Sequence, residues 1–155
     1  MMSNKIEVVR KWHEVSWKNP PSSFIDANEK YLSDNFQSLD KDGNVMGNKA
    51  GMIAMSQMLY NSFQGFKGVT HDFQEEEDGS VMMSFHFEGL HTGDLDLSVM
   101  GLGVIPASGK SFVTPESKSK FFVEGGQIVS SQPISGGFEF ILAAIGAIPQ
   151  DNLAP

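Results

Sequence analysis

The stretch from Val81 to Gln132 combines short β-like runs with one long, irregular loop. Apolar and polar residues alternate from Val81 to Glu88, which is the pattern of a half-buried strand. A loop rich in glycine and leucine extends from Gly89 to Lys110, and two further β-like runs follow it, joined by Glu124-Gly125-Gly126. Because loops on a rigid sheet commonly carry function, this stretch predicts a sheet with a pocket and a loop at its mouth.

The rest of the chain predicts helices that pack against this sheet. Apolar residues at helical spacing follow Asn4, and Ser22 or Ser23 can start a second helix that runs through Tyr31 and Leu32. Asn48 is a plausible N-cap for a third helix. We also predict that the first helix ends at Pro20-Pro21 and that a fourth helix covers 138–145. Strands are predicted over 35–40, 69–77, 80–89, 111–123 and 127–134.

The hairpin around Asp78-Gly79 has a testable register. If its turn contains two residues, His71 lies opposite His86 and Val69 lies opposite Glu88. The other face of the second strand then carries Val81, Met83, Phe85 and Phe87. A slip of one residue would exchange the two faces.

The order of these elements is helix, helix, strand, helix and then four strands. That order predicts an α+β fold, with helices on one face of a curved antiparallel sheet. A chain of 155 residues without an internal repeat or an obvious linker predicts a single domain over 1–155.

Composition excludes several classes of function. The net charge of −8 disfavours binding to nucleic acid or to an anionic membrane. The absence of cysteine excludes disulfides and thiolate metal sites. The first residues lack an apolar signal core, and the longest apolar run, 138–149, is too short to span a bilayer. We therefore expect a soluble, cytoplasmic protein.

Common cofactor and catalytic motifs give no support for other enzyme classes. The sequence contains no P-loop, no dinucleotide-binding glycine pattern after a strand and no G-x-S-x-G. We expect no cofactor.

Three runs together resemble the SnoaL-like polyketide cyclase (ester cyclase) family. They are Gly89 to Gly93, then Ile105 to Lys110, then Phe121 to Val129. The tail from Gly136 to Pro149 is similar to that family's closing segment. The order and spacing of these runs, more than any single motif, carry the resemblance, which spans nearly the whole chain.

The resemblance implies a fold and an assembly. The implied fold is the cone of the nuclear transport factor two-like superfamily, which is cystatin-like: a curved antiparallel sheet with helices packed on its concave face. The implied assembly is a homodimer formed through the sheet.

The resemblance also implies a chemistry, because the family's cyclases close a ring by an intramolecular aldol step. A last-strand carboxylate serves them as acid and base. In this sequence the aspartate position is Pro133, the histidine position is Ser131, and the later acidic position lies near Gly136. None of these residues can remove a proton from carbon.

Asp40 is the alternative carboxylate. It ends the first predicted strand, roughly where the related ketosteroid isomerases carry their general base. An aspartate in an apolar pocket has a raised pKa and can remove an α-proton. The run Asp40-Lys41-Asp42-Gly43 is also ordinary turn chemistry, in which aspartate binds its own backbone.

The histidines raise two further hypotheses. His91 corresponds to the most visible histidine of the family, and it could donate to a substrate carbonyl or fix the following loop. His71 and His86, with Glu88 nearby, could be drawn as a metal site, but a solvated polar pair explains them as well. We predict no metal.

Five residues are candidates for contact with a ligand. On the first helix, one of Trp12 and His13 is expected to reach the cavity, while the other packs elsewhere. Phe85, Phe87 and Ser131 are expected to face the cavity from the sheet.

The predicted partner is a small, largely apolar, carbonyl-bearing molecule. One hypothesis is a cyclase or isomerase with Asp40 as base and His91 as donor. The alternatives are a pocket protein without catalysis, which the loss of the last-strand carboxylate favours, and a dimerisation module with a filled cone. The apolar segment between Gly93 and Lys110 would either close over the ligand or bury itself at the dimer contact.

Overall fold

The computed structural model describes residues 4–18, 22–98, 101 and 103–147. The predicted helix stop at Pro20-Pro21, the tail end at Pro149 and the loop residues Val99, Met100 and Leu102 lie outside these residues. Within them the chain forms four helices and nine strands, in the order α1 (Asn4–Ser16), α2 (Ser22–Tyr31), β1 (Leu32–Leu39), β2 (Val45–Asn48), α3 (Lys49–Ser62), β3 (Phe63–Glu75), β4 (Val81–His91), β5 (Leu95–Leu97), β6 (Gly103–Ile105), β7 (Ser111–Val113), β8 (Ser117–Glu124), β9 (Gln127–Ser135) and α4 (Phe138–Ala144).

Seven of the strands form one sheet in the order β2-β1-β9-β8-β4-β3, with β7 paired to β4 beyond β8. The helices pack against this curled sheet, so the α+β cone is confirmed. One pair departs from the antiparallel prediction, because β1 runs parallel to β9. A parallel pair needs a long connection, and here nearly the whole domain lies between the two strands.

Local sequence signals explain where several elements begin. The Asn48 side chain accepts a hydrogen bond from the Gly51 N–H (2.9 Å), which confirms the predicted cap of α3. The turn at Asp42-Gly43 joins β1 to β2, a short strand that is not among the predicted ones. Gly43 adopts a φ of 88°, which a residue with a side chain rarely adopts.

The hairpin of β3 and β4 has a different register from the predicted one. The Gly79 N–H donates to the Glu76 carbonyl (3.0 Å), so the turn contains three residues instead of two. Glu75 therefore lies opposite Val81, and a bulge after Thr70 brings Val69 opposite His86. The predicted division of β4 into two faces still holds, since Val81 and the alternate residues after it point to the interior.

The apolar segment between Gly93 and Lys110 is a small hairpin of β5 and β6. Leu95 and Leu97 are fully buried in a cluster with Phe63, Phe112 and residues of α4. Leu95 and Leu97 thus pack within the same chain, whereas Val104 of the same hairpin is exposed. The expected role of this segment at a dimer contact stays a prediction. Within the described residues no helix is long and apolar enough to cross a membrane.

Candidate functional site

A cavity of about 240 Å³ lies between the helices and the concave face of the sheet. Residues of all four helices and of β3, β4, β8 and β9 line it. Among the described residues of the segment 93–110, none lines this cavity, which gives no support to the predicted entrance there. Met55 of α3 lines the cavity and is exposed to solvent, which puts the rim beside it.

Aromatic rings form a large part of the wall. The alternation of β4 points Phe85 and Phe87 to the same side, where both line the cavity as predicted, with their ring centroids 5.2 Å apart. Trp17 lies edge-on to Phe24 and Phe66 at 5.2 and 5.5 Å. Edge-to-face packing of this kind stabilises a wall beyond the area that it buries.

Trp12 and His13 both line the cavity, whereas the sequence predicted that only one would reach it. The Trp12 Nε1–H donates to Oδ1 of the buried Asn28 (2.8 Å), and the indole ring contacts Phe121 at 5.2 Å. Neighbouring positions on a helix differ by about 100° in direction. The cavity is wide enough for its wall to include both.

His13 is the one titratable residue among those that line the cavity in the described part of the chain. Its ring lies near Trp12 and Trp17, at 6.4 and 6.0 Å between centroids. Burial among these groups lowers the pKa of His13 to about 4. The imidazole is therefore neutral at pH 7, and it presents one donor and one acceptor nitrogen.

Two serines give the wall further polarity. Ser131 lines the cavity, as predicted, and so does Ser119, which sequence reasoning missed. Ser119 alternates with Phe121 along β8, and Phe121 lies directly opposite Ser131 on β9. The same alternation could have found Ser119, had the cavity-facing side of β8 been assigned.

Asp40 does not line the cavity. Its carboxylate accepts from the backbone N–H groups of Asp42 and Asn44 (2.9 Å each) and from the Asn44 side chain (3.1 Å). These hydrogen bonds, led by that of the Asn44 backbone, lower the pKa of Asp40. A general base needs the raised pKa of an apolar site, so these contacts favour the turn-forming role of Asp40 over that of a base.

His91 is also absent from the cavity wall. It is fully buried, and its Nδ1 accepts from the Ser108 N–H (3.1 Å), with Ser108 Oγ 2.8 Å away. Burial lowers the pKa of His91, against the opposing effects of the Gly93 backbone and Asp94. These contacts favour the second of the two roles considered for His91, in which its imidazole holds the loop that ends at Lys110.

His71 and His86 form a hydrogen-bonded chain outside the cavity. His71 Nε2 lies 2.7 Å from His86 Nδ1, and His86 Nε2 lies 2.6 Å from the Glu88 carboxylate. The second bond lowers the pKa of Glu88. The groups bind one another in a line, and no cluster of three or more potential metal ligands converges within the described residues.

Comparisons with known proteins support the fold. No protein-family model matches the chain, and no curated protein matches its sequence. Solved structures do match it. A protein of Jannaschia sp. CCS1 assigned as a SnoaL-like polyketide cyclase has a TM-score of 0.71 and 19% identity, over 94% of each chain. This chain has the SnoaL-like, nuclear transport factor two-like fold.

Two other similar structures carry different descriptions. AclR of Streptomyces galilaeus, assigned as a hydroxylase, has a TM-score of 0.71 and 15% identity, over 96% of this chain and 85% of its own. A protein of Catenulispora acidiphila with a ketosteroid isomerase-like fold, in complex with trimethylamine, has a TM-score of 0.62 and 14% identity, over 94% of this chain and 95% of its own. At these identities the likeness extends to the fold and not to the activity.

Proposed function

We propose that this chain binds a small, neutral, largely apolar molecule, such as an apolar ketone, inside the cone. The observation that carries the proposal is the cavity of about 240 Å³ with a wall of aromatic and aliphatic side chains. Transfer of apolar ligand surface from water to such a wall is favourable by roughly 25 cal/mol per Å². The cavity also disfavours the third alternative, a dimerisation module with a filled cone.

A neutral ligand fits the electrostatics of the wall. The same desolvation that lowers the pKa of His13 to about 4 penalises any unpaired charge brought into the cavity. No carboxylate lines the cavity within the described residues. Aromatic rings can hold a cation, and one similar structure contains trimethylamine, but the neutral state of His13 favours an uncharged ligand here.

A cyclase or isomerase is the second candidate, because one similar structure is described as a SnoaL-like polyketide cyclase and another as having a ketosteroid isomerase-like fold. Proton abstraction next to a carbonyl needs a base whose pKa is near the working pH. Asp40 lies in a turn, and a histidine with a pKa of about 4 is a weak base. The geometry therefore supports ligand binding better than this chemistry. The homodimer implied by the family resemblance stays a prediction.

Calorimetric titration with ethylbenzene tests the proposal. We expect saturable binding to the wild-type protein and its loss in Leu59→Trp, since Leu59 of α3 lines the cavity and the larger ring would fill it. Ala54→Trp adds the same ring to an exposed position of the same helix, and it should bind like the wild type. Binding of neither ethylbenzene nor acetophenone to the wild type, or equal binding of ethylbenzene to Leu59→Trp, would contradict the proposal.

A further inference from the structure

The hydroxyl groups of Ser119 and Ser131 share one patch of the cavity wall. The two residues lie on the adjacent antiparallel strands β8 and β9. Ser119 pairs with Pro133 and Ser131 pairs with Phe121, so the serines are diagonal neighbours on one face. Diagonal neighbours in an antiparallel pair are about 7–8 Å apart, which leaves room for one ligand atom between the two hydroxyls.

Neither hydroxyl has a hydrogen-bond partner among the described residues. Ser56, another serine of the wall, donates to the Met52 carbonyl (2.8 Å), and the Gln132 amide donates to the Lys41 carbonyl (3.2 Å). Both of those polar groups are therefore engaged within the protein. Ser119 and Ser131 line the cavity without such a bond, which leaves their donors for whatever fills it.

The surroundings strengthen any hydrogen bond made there. Phe121 adjoins both serines on the sheet face, because it is two residues from Ser119 on β8 and opposite Ser131 on β9, and its ring contacts Trp12 at 5.2 Å. A hydrogen bond in an apolar site is electrostatically stronger than one in water. The two lone pairs of a carbonyl oxygen can accept from both serines at once, whereas the alkyl part of the ligand would meet aromatic rings.

We propose that Ser119 and Ser131 form a carbonyl-recognition site, which selects a ketone or a similar neutral carbonyl compound over its hydrocarbon analogue. The site holds the carbonyl oxygen against the sheet and directs the apolar part of the ligand toward α1 and α3. This inference rests on the proposed function and adds the group by which the ligand is recognised.

The test compares acetophenone with ethylbenzene, which differ by a carbonyl in place of a methylene. We expect the wild type to prefer acetophenone, and Ser119→Ala/Ser131→Ala to reduce that preference about threefold to tenfold, as expected for the loss of hydrogen bonds. Ser130→Ala is the matched control, because Ser130 lies on β9 next to Ser131 but does not line the cavity.

Infrared spectroscopy of bound carbonyl-labelled acetophenone reports on hydrogen bonds to the carbonyl oxygen. A purely structural role of the two serines would leave this signal unchanged. The carbonyl stretch should shift to lower frequency in the wild type and in Ser130→Ala, and return toward the value in an apolar solvent in the double variant. Equal affinity for both probes, or a stretch that the double variant leaves unchanged, would overturn the carbonyl site while the cavity proposal stands. Binding of neither probe would overturn both.

Discussion

His13 is an ionisable side chain in a wall that is otherwise apolar or weakly polar. No hydrogen bond or ion pair from the described residues compensates a charge on its ring, so burial alone lowers its pKa to about 4. The cost of charging this ring is the clearest electrostatic property of the cavity. Because of this cost, the position of His13 in the cavity wall favours ligands without a charge.

This burial predicts a pH dependence of stability. The unfolded chain takes up a proton on His13 as the pH falls through its ordinary pKa of 6.5, whereas the folded chain takes it up only near pH 4. The unfolded state therefore binds more protons between those values, and His13 lowers stability as the pH falls from about 6.5 to 4. Urea denaturation should give a smaller loss over this interval in His13→Gln than in the wild type.

Met55→Gln controls for the added amide, because Met55 also lines the cavity but does not titrate. Its loss of stability over the same interval should match that of the wild type. An unchanged loss in His13→Gln would show that the histidine is not buried as described.

Single residues also mark how far the sequence could predict the site. Phe85, Phe87 and Ser131 were predictable because alternation in a strand fixes which side chains share a face. Asp40 was ambiguous, because the run Asp40 to Gly43 is compatible with a base at a pocket and with a closed turn. Only the three-dimensional position of the turn, away from the cavity wall, decides between them.

At the level of elements, local signals predicted well and long-range pairing did not. The Asn48 cap and most helix and strand positions follow from nearby residues. The register of β3 and β4 depends on whether the turn before Ser80 has two or three residues, and the Gly79 φ of 86° selects three. The packing of Leu95 and Leu97 in the cluster with Phe63 and Phe112 depends on α4, which is distant from them in the sequence.

The loop after β4 docks closely on the end of α3, which predicts a sensitive position. Gly93 donates its N–H to the Ser62 carbonyl (3.0 Å), and a Cβ there would lie 2.6 Å from the Asn61 carbonyl oxygen. Gly93→Ala should therefore lower the free energy of unfolding by about 1–3 kcal/mol, measured by urea denaturation.

Gly51→Ala is the matched control for this loop. Gly51 lies in the first turn of α3, and a Cβ there would contact the Asn48 side chain at an ordinary 3.5 Å. Since alanine favours a helix over glycine, this change should leave the stability equal or slightly higher. A Gly93→Ala protein as stable as Gly51→Ala would rule out the close docking.

For the molecule as a whole, the fold divides its interior between two apolar clusters. One joins α1 to the centre of the sheet, and the other joins α4 and the β5–β6 hairpin to the start of β3. The cavity is lined by members of both, such as Phe85 from the first and Phe66 from the second. The hollow is thus a feature of the cone and not of a single loop.

The two tryptophans of the chain, Trp12 and Trp17, both line this cavity, so their indole N–H signals report on it without any substitution. Titration of the ¹⁵N-labelled protein with acetophenone, followed by NMR, is the most direct test of a ligand-binding cone. We predict that both indole signals shift saturably along one binding curve. Two indole signals that stay in place up to the solubility limit of the probe would contradict the account.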